Sequence, residues 1–137
     1  LIFGGNYNGG ACPNAAYSSC FNAYYRLNVI WSGPDNSLKY ELKRIDGHDP
    51  TDNGGVGVTL IPFKTASVGD SQGYNTWAID VYPNGRIEVY VEGKLVGAAK
   101  DSTYINQPYF GVFASSDEYA GSEPTFEYYG LSALPLP

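Results

Sequence analysis

The chain has 137 residues, enough for one domain with an apolar core of its own, and it contains no Met. Gly (17), Tyr (13) and Pro (9) are plentiful and aromatics reach 15%, a composition that favours strands and tight connections over helices. The net charge is −6: no charged residue or His precedes Arg26, all eight bases fall between 26 and 100, and five acids without a base follow from Asp101. That balance, with no basic stripe, argues against nucleic acid as a partner, and no run of about 18 apolar residues is present to span a membrane.

The chain opens Leu1-Ile2-Phe3, without a charged region followed by an apolar one. The expectation is a processed, secreted or cell-surface chain whose signal peptide has gone. Residues 1–22, rich in Gly, Asn and Ala, read as an irregular arm. Cys12 and Cys20 are the only cysteines, and in an exported chain they pair as a disulfide closing a short loop, worth about 2.5 kcal/mol in the chain-entropy model. The alternatives are two reduced thiols or half a metal site, though a four-ligand zinc site would have to draw its further partners from the lone and remote His48.

Residues 23–133 read as a β-sandwich. From Ala23 to Trp31 the residues Ala23, Tyr25, Leu27, Val29 and Trp31 fall on one face, with Tyr24, Arg26 and Asn28 on the other. Gly33-Pro34-Asp35-Asn36 is a turn. Ser37 to Ile45 alternates again, Leu38, Tyr40 and Leu42 against Lys39, Glu41 and Lys43, as a half-buried antiparallel strand does. A loop over 46–55 leads to a strand over 56–63, where Pro62 marks its end or a sheet edge. Trp77, Ile79 and Val81 then alternate with Ala78, Asp80 and Tyr82. After Pro83-Asn84-Gly85, a hairpin signal, Ile87, Val89 and Val91 alternate with Arg86, Glu88, Tyr90 and Glu92. A second turn at Glu92-Gly93-Lys94 leads into Leu95–Ala99, completing a three-strand meander. Two last strands are expected over 109–114 and 125–131, and residues 134–137 form a linker-like tail. The sum is an all-β, antiparallel two-sheet sandwich.

The stretch Trp77-Ala-Ile-Asp-Val, Asn84-Gly85, Ile87 to Leu95, Asp101, Tyr109 to Ala114 and Phe126-Glu-Tyr-Tyr resembles the C-terminal half of a concanavalin A-like (lectin/glucanase-type) jelly roll, over about 40% of the chain. The resemblance implies a jelly-roll sandwich, and a superfamily that includes lectins, carbohydrate-binding modules, adhesion domains and glycoside hydrolases. The hydrolases of this fold carry E-x-D-x-x-E on one strand, which is absent here. Glu88 and Glu92 share a strand face but lie roughly 13 Å apart at strand rise, too far for a retaining or inverting pair. No Ser/His/Asp constellation and no phosphate loop is present.

Two constellations remain. Asp46, Asp49, Asp52 and Asn53 bunch hard oxygen ligands in one loop, as a calcium site would, although Asp, Asn and Gly also gather in ordinary turns. His48 in that loop reads as a solvated side chain. Tyr24, Arg26 and Asn28, with Asp80, Tyr82, Tyr90 and Tyr129, fall opposite the expected core. On one concave sheet they would form a glycan groove, with aromatic planes under sugar C–H faces and polar groups on hydroxyls. The plainer reading is aromatic cross-strand pairing on a wet face. Trp31 and Trp77 read as core. The expected function is a non-catalytic extracellular carbohydrate-binding or adhesion module from a larger processed protein. The alternative is a self-assembling structural subunit of an extracellular filament, sheath or surface layer, whose uncharged arm adds a strand to a neighbour. A third is a carbohydrate-active enzyme with an unrecognised site.

Overall fold

The computed structural model describes residues 1–7, 21–32, 36–47, 56–69 and 73–111. Within them lie eight strands: β1 (Ile2–Tyr7), β2 (Phe21–Ser32), β3 (Ser37–Gly47), β4 (Val56–Thr65), β5 (Trp77–Val81), β6 (Arg86–Val91), β7 (Lys94–Lys100) and β8 (Tyr109–Gly111). They form two antiparallel sheets packed as a sandwich, one of five strands in the order β4-β3-β2-β1-β8 and one of three in the order β5-β6-β7. The meander expected from 77 to 99 is this second sheet. The expected strand over 125–131 and the tail lie outside the described residues, as do Cys12, Cys20 and Tyr129.

Period-2 patterning decides which faces meet. Tyr25, Leu27, Tyr40, Leu42 and Ile61 from the larger sheet pack with Ile87 and Val89 from the smaller, each buried. Val91 is also fully buried. Trp77, Ile79 and Val81 are half-buried against this core. The Trp77 ring sits tilted at 5.6 Å from that of Tyr40. Val29 keeps the register of Tyr25 and Leu27 but is 38% exposed.

Residues 2–7 correct the reading of an irregular arm. They form β1, paired with β2 on one side and β8 on the other. The ladder shifts register between Phe3 and Asn6, which breaks the strict alternation that a sequence reading relies on. Phe3 stacks on Tyr25, ring centres 5.1 Å apart. Pro62 lies inside β4, which is an edge strand among the described residues, the place where sheets tolerate a residue without an N–H.

The two hairpins of the smaller sheet use different turns. Gly85 donates its N–H to Tyr82 O at 2.9 Å and Tyr82 donates to Arg86 O at 2.8 Å. Gly85 alone of the pair Asn84-Gly85 has a positive φ, at 83°. This is a three-residue loop with a left-handed glycine, rather than the two-residue turn in which both residues need positive φ. Asn84 instead accepts the Arg86 N–H on its side-chain oxygen at 3.0 Å. The two-residue turn is Glu92-Gly93, with φ of 50° and 71°.

Two polar ties fasten the sheets to one another. The Tyr40 hydroxyl donates to Val96 O at 2.5 Å, and Lys64 Nζ donates to the same carbonyl at 2.9 Å. Val96 is the extra residue where β7 shifts register between Gly97 and Leu95, so this residue has no Cα partner in the ladder. At the other end Arg44 grips Asp46 with a two-pronged fork (2.7 and 2.9 Å) and Asp101 with its third nitrogen. Tyr25 donates to Asp101 Oδ1 at 2.6 Å and accepts the Tyr104 N–H at 3.1 Å. Burial pushes the Asp101 carboxyl up, but the hydrogen bonds from Tyr25, Thr103 and Arg44 outweigh it and hold the carboxyl down at about 2. The segment after β7 is thereby tied to Tyr25 of β2 and Arg44 of β3.

Candidate functional site

Of the seven residues grouped by sequence as one wet face, the six that lie within the described residues occupy two different faces. Tyr24, Arg26 and Asn28 lie on the outer surface of the five-stranded sheet, because their neighbours Tyr25 and Leu27 point into the core. Asp80, Tyr82 and Tyr90 lie on the outer surface of the three-stranded sheet, opposite Ile79, Val81 and Val89. In a sandwich those two surfaces point away from each other. They cannot line one groove. Tyr24 is moreover buried, packed with Ile2 and Ile45 in a second small apolar cluster.

On the three-stranded sheet the grouping holds, and it is organised by a residue that the sequence reading considered only as half of an acid pair. Glu88 stands directly opposite Asp80 on one side and Ala98 on the other. Its Oε2 accepts the Tyr90 hydroxyl at 2.5 Å and the Tyr82 hydroxyl at 3.0 Å, while Oε1 pairs with Arg86 Nη2. Glu88 is 5% exposed, whereas Tyr82 and Tyr90 are each half-buried and keep part of their surface open. The hydrogen bond from Tyr90, joined by that from Tyr82 and by the Arg86 charge, holds the Glu88 carboxyl below its ordinary value against the opposing effect of burial. Both phenols are raised in turn, chiefly by donating to Glu88. The cluster therefore keeps its protons on the two tyrosines and its negative charge on Glu88 at neutral pH.

Glu92 does not belong to this face. β6 ends at Val91, and Glu92 sits in the turn with its carboxylate accepting the Thr76 N–H at 2.5 Å. The spacing that placed Glu88 and Glu92 on one strand face ends with the strand.

A shallow open hollow lies along the same sheet, lined by Asn84, Arg86, Ala98, Ala99 and Lys100. Arg86 and Lys100 are cross-strand partners, and Asn84 comes from the preceding turn. The face thus carries, side by side, two anchored phenol rings, a carboxylate at Asp80, and donors from Arg86, Lys100 and Asn84. Sequence alternation found the tyrosines. Arg86 and Glu88 were legible from the same alternation once the loop at 83–85 fixed which residue of β6 faces which residue of β5.

The loop residues grouped as calcium ligands divide similarly. Asp46 uses its carboxylate on the Arg44 fork and on the Tyr104 hydroxyl at 2.9 Å. Asp49, Asp52 and Asn53, with His48, lie outside the described residues. Among the described residues no group of three or more His, Cys, Asp or Glu side chains converges as metal ligands do, and no helix is long and apolar enough to cross a membrane. No family model, curated protein or solved structure matches the chain.

Proposed function

We propose that the chain is a non-catalytic, extracellular carbohydrate-binding module, a sandwich of the concanavalin A-like kind, and that it binds glycan on the outer face of its three-stranded sheet. The observation that carries the reading is the fixing of Tyr82 and Tyr90 on one Glu88 carboxylate beside a hollow lined by Asn84, Arg86 and Lys100. A sugar offers apolar C–H faces and a fringe of hydroxyls, and it loses affinity when it has to order its binding site. Phenols held by their hydroxyls are ordered before the sugar arrives, and they leave ring surface for stacking. Asp80 supplies an acceptor, and Asn84 and Lys100 supply donors at the rim. On this reading Cys12 and Cys20 would pair as a disulfide in the oxidising compartment to which the chain is exported. A calcium ion in the loop from Asp46 would have to compete with the Arg44 fork for that carboxylate, so on this reading sugar binding does not need it.

A glycan array with the unmodified chain is the first test, and a blank array ends the reading. On a positive array, Tyr82→Ala and Tyr90→Ala are each expected to lose about 1–2 kcal/mol of binding, a five- to thirty-fold weakening. Tyr82→Phe, which keeps the ring and loses only the anchor to Glu88, is expected to weaken binding less than Tyr82→Ala. Equal loss in the two variants would mean that the ring does not stack.

The structural-subunit reading loses part of its motive. The part of the arm described, Ile2–Tyr7, is a strand inside its own sheet. Sizing by light scattering separates the two readings, since a filament subunit must assemble beyond a dimer.

A further inference from the structure

The outer face of the five-stranded sheet holds a polar cluster that sugar binding leaves unused. β2 and β3 pair Asn28 with Glu41, Arg26 with Lys43 and Tyr24 with Ile45, so these six side chains run down one surface in three rungs. Glu41 is 4% exposed, a buried carboxylate in the middle of a sheet. Its Oε1 accepts the Asn28 side-chain amide Nδ2 at 2.6 Å and stands 3.4 Å from Lys43 Nζ. A primary amine and a carboxamide therefore converge on one oxygen of one buried acid.

From this convergence we propose that Lys43 and Asn28 become joined by an intramolecular isopeptide bond, with Glu41 carrying the proton between them. Glu41 takes a proton from the Lys43 ammonium, and the freed Nζ adds to Asn28 Cγ. The bond from Cγ to Nδ2 then breaks, and Nδ2 departs as ammonia with the proton that Glu41 returns to it; Glu41 next takes the second proton that Nζ sheds as the amide forms and passes it to the departing ammonia, which leaves as ammonium. One C–N bond forms, one breaks, nothing is oxidised or reduced, and no co-reactant enters. The geometry suits each step. The nitrogen that must leave is the one Glu41 already touches, and the nitrogen that must attack lies beside the same oxygen. Asn28 and Lys43 are diagonal neighbours across the strand pair, a separation a lysine side chain spans. Holding amine and amide together in a fixed sheet removes the entropy that makes amide exchange between free molecules slow.

Two features of the surroundings favour the product. Arg26 directly faces Lys43, and like charges in that position repel; turning the ammonium into a neutral amide removes the repulsion. The neighbouring rung, Tyr24 and Ile45, is buried and apolar, which limits water that would compete with Nζ for Asn28 Cγ. The new amide N–H would remain within reach of Glu41 and keep that carboxylate hydrogen-bonded. The bond would tie the two central strands of the larger sheet covalently.

The test is the mass of the folded, unmodified chain, followed by tryptic mapping. The expected result is a chain lighter than its sequence by one ammonia, with no tryptic cut after Lys43 and with the peptide 27–39 linked to the peptide 40–44. Lys43→Arg keeps the charge and Glu41→Gln keeps the shape; both are expected to return the full mass and unlinked peptides, with a lower melting temperature. A cooperatively melting wild-type chain at full sequence mass overturns the proposal. So does an ammonia deficit that maps to an Asn-Gly step such as Asn84-Gly85, which is a succinimide and links nothing. A Glu41→Gln chain that still carries the link removes Glu41 from the reaction.

Discussion

Asp101 shows how one carboxylate can fix a whole segment. It accepts from Tyr25 and from the Thr103 N–H and pairs with Arg44, while its own N–H donates to Gly85 O in the neighbouring hairpin. Its carboxyl is held at about 2, below the ordinary value of 3.8 from which an unfolded chain titrates. A lowered folded-state value means that the stabilisation is present above pH 4 and is lost as pH falls from about 4 to about 2. With its side chain only 9% exposed, the shift amounts to about 2 kcal/mol. Asp46 and Glu88 are also lowered, chiefly by the hydrogen bonds from Arg44 and from Tyr90, so they share the same direction of acid sensitivity. Asp101→Asn should therefore be less stable than the parent at pH 7 and lose less stability between pH 4 and pH 2. Urea titrations of both chains at those pH values check it; parallel losses in the two would mean that Asp101 titrates as it does in the unfolded chain.

At the scale of elements, the junction of β3, β4 and β7 depends on an absent side chain. A Cβ on Gly97 would lie 2.7 Å from the Tyr40 hydroxyl and 3.1 Å from Ile61 Cδ1. Gly97 is thus kept small so that β7 can approach β3 closely enough for Tyr40 to reach Val96 O. Gly97→Ala is expected to cost about 1–3 kcal/mol, the usual penalty of overpacking. Tyr40→Phe removes the hydroxyl that the new methyl meets, and it is expected to cost about 1–2 kcal/mol by itself. In the Tyr40→Phe background the Gly97→Ala penalty should shrink, and a double-mutant cycle by chemical denaturation measures that coupling. Strict additivity would place the clash elsewhere. The alternation of β3 was legible in the sequence, as was the meander of β5 to β7. The dependence on Gly97 was not, because a close approach between strands of different sheets leaves no local pattern.

For the molecule as a whole, the test of the sandwich is its central layer. Ile87, Val89 and Val91 are fully buried between the sheets. Val89→Asp would place a carboxylate with no partner among Tyr25, Leu27 and Ile87, and the penalty of several kcal/mol is comparable with the whole stability of a domain this size. The expected outcome is loss of the cooperative melting transition. A melting temperature within a few degrees of the parent would mean that the face is not buried. Glu88→Gln, one residue away and facing outward, tests the opposite surface. It keeps the shape that Tyr82 and Tyr90 bond to, so the fold should persist while those bonds weaken, and sugar affinity should fall on the reading proposed above.

The sequence determined by itself the all-β class, the meander and the identity of most of the core, because a period of two is written residue by residue and survives without knowledge of neighbours. It also determined that Tyr82, Asp80 and Tyr90 share a face, since they lie on one hairpin. That Tyr24, Arg26 and Asn28 look the other way emerges only from the assembled sheets, because which sheet a strand joins depends on long-range pairing that alternation does not encode. So do the strand at Ile2–Tyr7, where a register shift hides the pattern, and the anchoring of two tyrosines by Glu88. The same is true of Glu41, an ordinary acid on an alternating strand until pairing with β2 sets it between an amide and an amine.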